Sequence, residues 1–106
     1  MLARCFRLKK REIARVYKKG QRLNRDFLLV RFVPNTAKVS RFAVVIPKVV
    51  VKGSVGRSRY KRKTHEALQE FRSLLKQNYD IILSFRKAPD EKIIASTVKE
   101  ILSNIN

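Results

Sequence analysis

Between Asp26 and Glu66 the chain carries no acidic residue, while ten cations fall in that interval: Arg31, Lys38, Arg41, Lys48, Lys52, Arg57, Arg59, Lys61, Arg62 and Lys63. Residues 1–65 together hold twenty lysines and arginines against only Glu12 and Asp26, whereas residues 66–106 hold six cations and six acids. The whole formal net charge of +18 therefore lies in the first part of the chain. A fold must spread these like charges over its surface, and a polyanionic partner relieves the repulsion that remains. Solubility alone requires neither a single sign nor this asymmetry.

The charge does not come from a disordered tail, because 44% of the 106 residues are hydrophobic, an ordinary share for a globular protein. A chain of this length makes one domain, here taken as 1–106, and buries roughly two-thirds of its unfolded surface. Cys5 is the only cysteine, so no internal disulfide forms, and no apolar run has membrane-spanning length. The basic first 25 residues lack the apolar stretch of a secretory signal and the serines of a transit peptide. These features predict a mature cytoplasmic protein that does not enter a membrane.

Residues 9–19 predict a short helix, with Ile13, Val16 and Tyr17 on one face and Gly20 as a left-handed cap. Residues 27–33 (FLLVRFV) and 41–46 (RFAVVI) predict two strands forming a pair around the turn signal Pro34-Asn35. Residues 49–51 (VVV) are either a third short strand or an extended lead-in. Ser54 is the predicted N-cap of a long helix to about residue 78, with Tyr60, Ala67, Leu68, Phe71, Leu74 and Leu75 sharing one face. Residues 79–85 (YDIILSF) predict a buried strand, and Pro89-Asp90 opens a last helix with Ile94, Val98, Ile101, Leu102 and Ile105 as its stripe. The predicted fold is a single small α+β domain, an α-β-β-(β)-α-β-α sandwich with helices on a mainly antiparallel sheet.

The densest signal is GRSRYKRK at residues 56–63, which opens the long helix. Arg57, Lys61 and His65 stand four apart on one ridge, while Arg59, Arg62 and Lys63 cover the solvent side. Cations at this end oppose the helix dipole, by a few tenths to about 1 kcal/mol each, and an anion removes the conflict. Phosphate fits twice over, meeting free backbone N–H groups and the forked donors of arginine. A catalytic reading finds little support. With one histidine and one cysteine no zinc site of usual spacing can be assembled, and Glu12 and Asp26 are the only acids beside the cations. Gly53 and Gly56 lack the Lys-Ser/Thr sequel of a nucleotide-binding loop.

The stretch 42–68, FAVVIPKVVVKGSVGRSRYKRKTHEAL, resembles the signature of the bacterial ribonuclease P protein: a strand, a lysine-containing turn, then Arg-Asn-Arg and Lys-Arg on a helix. RLKKREIARVYKKG at 7–20 resembles that family's opening helix, and YDIILSFRK at 79–87 its last strand. The resemblance implies a left-handed β-α-β crossover, against the usual chirality. It also implies a helper in a ribonucleoprotein, in which a catalytic RNA, with magnesium bound to the RNA, removes the 5′ leader of precursor tRNA. No catalytic residue is then expected in this chain, and no metal or cofactor held by protein ligands. The implied state is a monomer in a 1:1 complex with the catalytic RNA.

By that resemblance Arg57, Arg59, Lys61, Arg62, Lys63 and His65 bind the catalytic RNA, and Arg7, Lys9, Lys10, Ile13, Tyr17, Lys48 and Lys52 line the leader cleft. Tyr17 either stacks on an unpaired base or belongs to the core with Ile13 and Val16. The chain departs from the family pattern at Ser58 (Asn), Val49 (Lys), Pro47 (Ser) and His65 (Arg), and at Ile13 and Val30, where aromatic residues are common. Leader stacking is then expected either to be weaker or to use Phe27 or Phe32 instead. The rival reading is a ribosomal or other structured-RNA-binding protein, but the order of elements around GRSRYKRK fits it less well. A DNA-binding module lacks the partner helix of a helix-turn-helix, and a membrane-active helix lacks an apolar face opposite the cations.

Overall fold

A computed structural model describes residues 4–105. After a 3-10 turn at Arg4–Phe6, helix α1 (Lys10–Lys19) leads into strands β1 (Gln21–Arg25) and β2 (Leu28–Pro34). Strand β3 (Arg41–Val45), helix α2 (Ser54–Phe71), strand β4 (Tyr79–Phe85) and helix α3 (Ile94–Asn104) follow. β1 was not expected from sequence. Its residues QRLNR have only Leu23 as an apolar anchor, because an edge strand is solvated on most of its surface. It forms a hairpin with β2 through the two-residue loop Asp26-Phe27, where Asp26 takes φ 50. A short polar side chain tolerates this left-handed region without glycine.

The sheet order is β1-β2-β4-β3, so the two segments predicted as a pair are not neighbours. β4 inserts between them, antiparallel to β2 and parallel to β3, with α2 crossing between the parallel strands. Residues 48–50 form a turn closed by Val50 and Val51 donating to Pro47 O, at 3.0 and 3.1 Å, and not a strand. The long helix also ends sooner than predicted, with one 3-10 turn at Arg72–Leu74 after Phe71 and with Leu74 exposed. Gly53 rather than Ser54 is its N-cap, and no side chain caps it. Gly20 is extended, with φ −73, so the predicted left-handed cap is absent. Glycine is needed there for room: a Cβ would stand 2.5 Å from Val16 O.

Helices lie on both faces of the sheet. Odd-numbered β4 residues Tyr79, Ile81, Leu83 and Phe85 join Phe27, Leu28, Val30, Phe42 and the stripes of α2 and α3 in the main core. Each such fully buried side chain contributes roughly 1.5–3 kcal/mol. Phe85 packs on Phe27 and Tyr60 with ring centroids 5.1 and 5.7 Å away. Tyr60 donates to Pro89 O at 2.6 Å, and Asp90 accepts from Lys92 N to start the last helical segment. The even-numbered residues Asp80 and Ile82 face α1, whose Val16 is its single buried residue. β4 is thus covered on both sides over most of its length, which explains why the apolar residues Ile81, Ile82 and Leu83 follow one another without alternation.

Candidate nucleic-acid interface

The start of α2 presents Arg59, Lys61, Arg62 and Lys63 to solvent, and its first turn has no acid. Among the described residues no carboxylate pairs with Lys61, Arg62 or Lys63, nor with Lys48 or Lys52 in the preceding turn. Arg59 meets Glu91 at 3.4 Å, an exposed and therefore weak pair. Arg57 is different. It is half-buried, and one terminal nitrogen donates to Val51 O and Lys52 O, both at 2.9 Å. Its guanidinium thus holds the turn against the helix and keeps Lys48 and Lys52 beside the cluster. Ser58 lies exposed between the two shallow hollows that flank this cluster.

His65 is corrected from a surface contact to a buried residue, only 5% exposed, with Nδ1 lacking a partner among the described residues. Burial, and then the cations Lys61 and Arg7, push its pKa below 6.5, so it is neutral at pH 7 and contributes no charge to the surface.

The second surface lies on the α1 side of the sheet. By strand alternation and register this face carries Arg22 and Asn24 (β1), Leu29, Arg31 and Val33 (β2), Asp80, Ile82 and Ser84 (β4), and Arg41, Ala43 and Val45 (β3). α1 is tied over one end of it, where Arg15 reaches Asp80 and Pro34 O and Glu12 meets Arg41. The other end stays open, with Leu29, Ala43 and Ser84 partly exposed and Val45 exposed. Tyr17 stands at the wall of this groove, 48% exposed, with the Arg31 guanidinium 4.7 Å from its ring centroid. It is not a core residue. Arg22 lies directly across from Arg31, and Arg86 donates to Asn24 Oδ1 at 3.0 Å, so the rim is cationic.

Of the residues expected in this cleft, Ile13 is half-buried on α1, and Lys9 and Lys10 are exposed at the helix start. Arg7 forms a bridge with Phe42 and Leu8 N donates to Phe42 O, laying this segment along the outer edge of β3. Lys48 and Lys52 are exposed beyond the far end of that strand. The substitute rings fail: Phe27 is buried on Phe85, and Phe32 packs edge-on to Tyr79 at 5.9 Å. Val30 is likewise on the core face, so it is no cleft position. Arg22 and Arg31 were missed, although their alternation with the core residues Leu23 and Val30 was the signal that places them opposite the core.

Among the described residues no group of three or more His, Cys, Asp or Glu is placed to hold a metal ion, and no helix is long and apolar enough to cross a membrane. Glu12 has both oxygens engaged, by Lys9 N at 2.7 Å and Arg41 at 2.6 Å, and Asp80 is fully buried among cations.

A mixed sheet flanked by helices, a cationic helix start and an open groove with an arginine rim define a small basic α+β RNA-binding domain. The ribonuclease P family model matches residues 2–106. The ribonuclease P protein component of Synechococcus elongatus is 34% identical over 94 residues, covering 84% of this chain and 77% of that protein. That of Coprothermobacter proteolyticus is 37% identical over 103 residues, covering 94% and 84%. In fold, the RNase P protein from Thermotoga maritima matches with a TM-score of 0.84 at 21% identity, covering 94% of this chain and all of that one. The Staphylococcus aureus protein gives 0.83 at 22% identity, with 95% of each chain covered. The chain belongs to the ribonuclease P protein family, the protein component of the enzyme that matures tRNA 5′ ends.

Proposed function

We propose that this chain binds the catalytic RNA of ribonuclease P through the start of α2, and the 5′ leader of precursor tRNA through the groove beside α1. The observation that carries this reading is the contrast between the two surfaces. The α2 cations are fixed on a helix docked in the main core and suit a folded RNA of fixed phosphate spacing. The groove combines an apolar floor, a tyrosine at its wall and flanking arginines, which suits unpaired nucleotides. Chemistry is assigned to the RNA with its magnesium, because the acids of the basic part are tied to arginines or sit in a turn. The complex is a 1:1 ribonucleoprotein.

The test is reconstitution with a bacterial catalytic RNA and labelled precursor tRNA at low magnesium. The chain should cut nothing alone and should lower the magnesium that the RNA requires. Arg62→Ala should weaken assembly whatever the substrate, whereas Tyr17→Ala should leave assembly intact and reduce the preference for leader-bearing over mature tRNA. Cleavage without RNA, or no effect on the magnesium requirement, would falsify the assignment.

A further inference from the structure

Helix α1 forms the groove wall yet buries only Val16, so its place on the sheet depends on polar contacts. Those contacts converge on Arg41 of β3. Its Nε and one terminal nitrogen donate to the two oxygens of Asp80, at 2.8 and 2.9 Å. The other terminal nitrogen donates to Glu12 of α1 at 2.6 Å. Asp80 is fully buried on the central strand and also accepts from Asn35 at 2.7 Å and from Arg15 of α1 at 3.4 Å. Glu12 in turn accepts from Lys9 N, at the first turn of the helix. One guanidinium therefore joins the sheet to the helix with all three nitrogens engaged. A lysine, with one nitrogen, cannot span both acids.

We propose that Arg41 is a positioning residue for the single-stranded substrate: by bridging Asp80 and Glu12 it fixes α1 on the sheet and sets the width of the groove. Tyr17 follows Glu12 by five residues, about 7.5 Å along the helix, so a tilt at Glu12 moves the ring relative to the groove floor. The main core does not include Val16 or Ile82, and this separates groove geometry from folding. Asp80 is out of solvent, so the bridge is screened little by salt that weakens the exposed α2 contacts. The proposal rests on the reading that the groove takes the leader.

Two variants test it. Arg41→Lys keeps the charge and loses the bridge, while Glu12→Gln weakens only the helix side and leaves Asp80 paired. In a Cys5→Ser background, spin labels on cysteines replacing the exposed Lys18 of α1 and Gln69 of α2 report the helix position by pulsed EPR. The parent should give one narrow distance, and Glu12→Gln a broadened distribution with an unchanged main-core melting transition. The ratio of affinities for leader-bearing and mature tRNA should fall about threefold to thirtyfold, the size of coupling through an intervening contact. Affinity for the catalytic RNA should stay within about twofold, since these variants leave the α2 contacts in place. An unchanged distance in both variants overturns the proposal, as does a broadened distance with the ratio preserved. Tyr17→Ala distinguishes the two failures. If it lowers the ratio, the groove reading survives and only the positioning role is lost; if it does not, both fall.

Discussion

Salt should weaken binding to the catalytic RNA by an amount that can be worked from side-chain placement. Arg59, Lys61, Arg62 and Lys63 on α2 and Lys48 and Lys52 on the preceding turn are exposed, whereas Arg57 is committed to two carbonyls. If these six meet phosphates, each releases nearly one counterion, and raising salt from about 50 to 200 mM should lower affinity by about three powers of ten. Arg62→Gln should reduce the slope of log affinity against log salt by about one. Arg57→Gln should change that slope less and lower thermal stability instead, because it unlatches the turn from the helix. Anisotropy titrations of labelled catalytic RNA at fixed magnesium measure both slopes. A nearly flat response, or a larger loss of slope for Arg57→Gln than for Arg62→Gln, would refute the division of labour drawn here.

Gly20→Ala places a Cβ against Val16 O and should cost roughly 1–3 kcal/mol, read as a lower urea midpoint; an unchanged midpoint contradicts the close approach. His65 stays neutral when folded but takes a proton near pH 6.5 when unfolded, so stability is full above that pH and is lost as pH falls below it. Melting temperature should therefore drop between pH 7.5 and 5.5, and His65→Leu should lessen the drop; equal pH profiles would remove burial as the cause. Tyr60→Phe deletes the hydrogen bond to Pro89 O and should cost about 1 kcal/mol, measured by the same denaturation; no loss would mean that this bond contributes nothing net.

The elements with strong periodicity or a long apolar run were legible in sequence: α1, the body of α2, β4 and α3 stand close to where their patterns put them. β1 was not, since a solvated edge strand has no apolar period to read. The insertion of β4 between β2 and β3 was hidden because it is a pairing between distant segments, and a turn signal at Pro34-Asn35 suggests the nearer partner. His65 shows a subtler failure. On a helical wheel His65 lies farther than Arg57 from the face of Tyr60, Ala67 and Leu68, so its position along α2 gave no sign that the rest of the fold covers it. The charge asymmetry pointed to the start of α2, where the structure exposes Arg59, Lys61, Arg62 and Lys63. It did not reveal that Arg41 and Arg57 hold structure together, because an arginine bound to an internal acid or carbonyl reads the same as a free one.

The place of β4 also governs when the molecule can be made. A ribosome that has delivered residues through 78 has released the β1–β2 hairpin, β3 and α2, but none of the strand to which both β2 and β3 bond. The β3 ladder has no sheet partner until β4 emerges, and the main core still lacks the four residues of β4 and the five that lie between Ile94 and Ile105 inclusive. Folding of the nascent chain is thus a late event that waits on non-local pairing. Until then the emerging protein is a cationic polymer surrounded by ribosomal RNA.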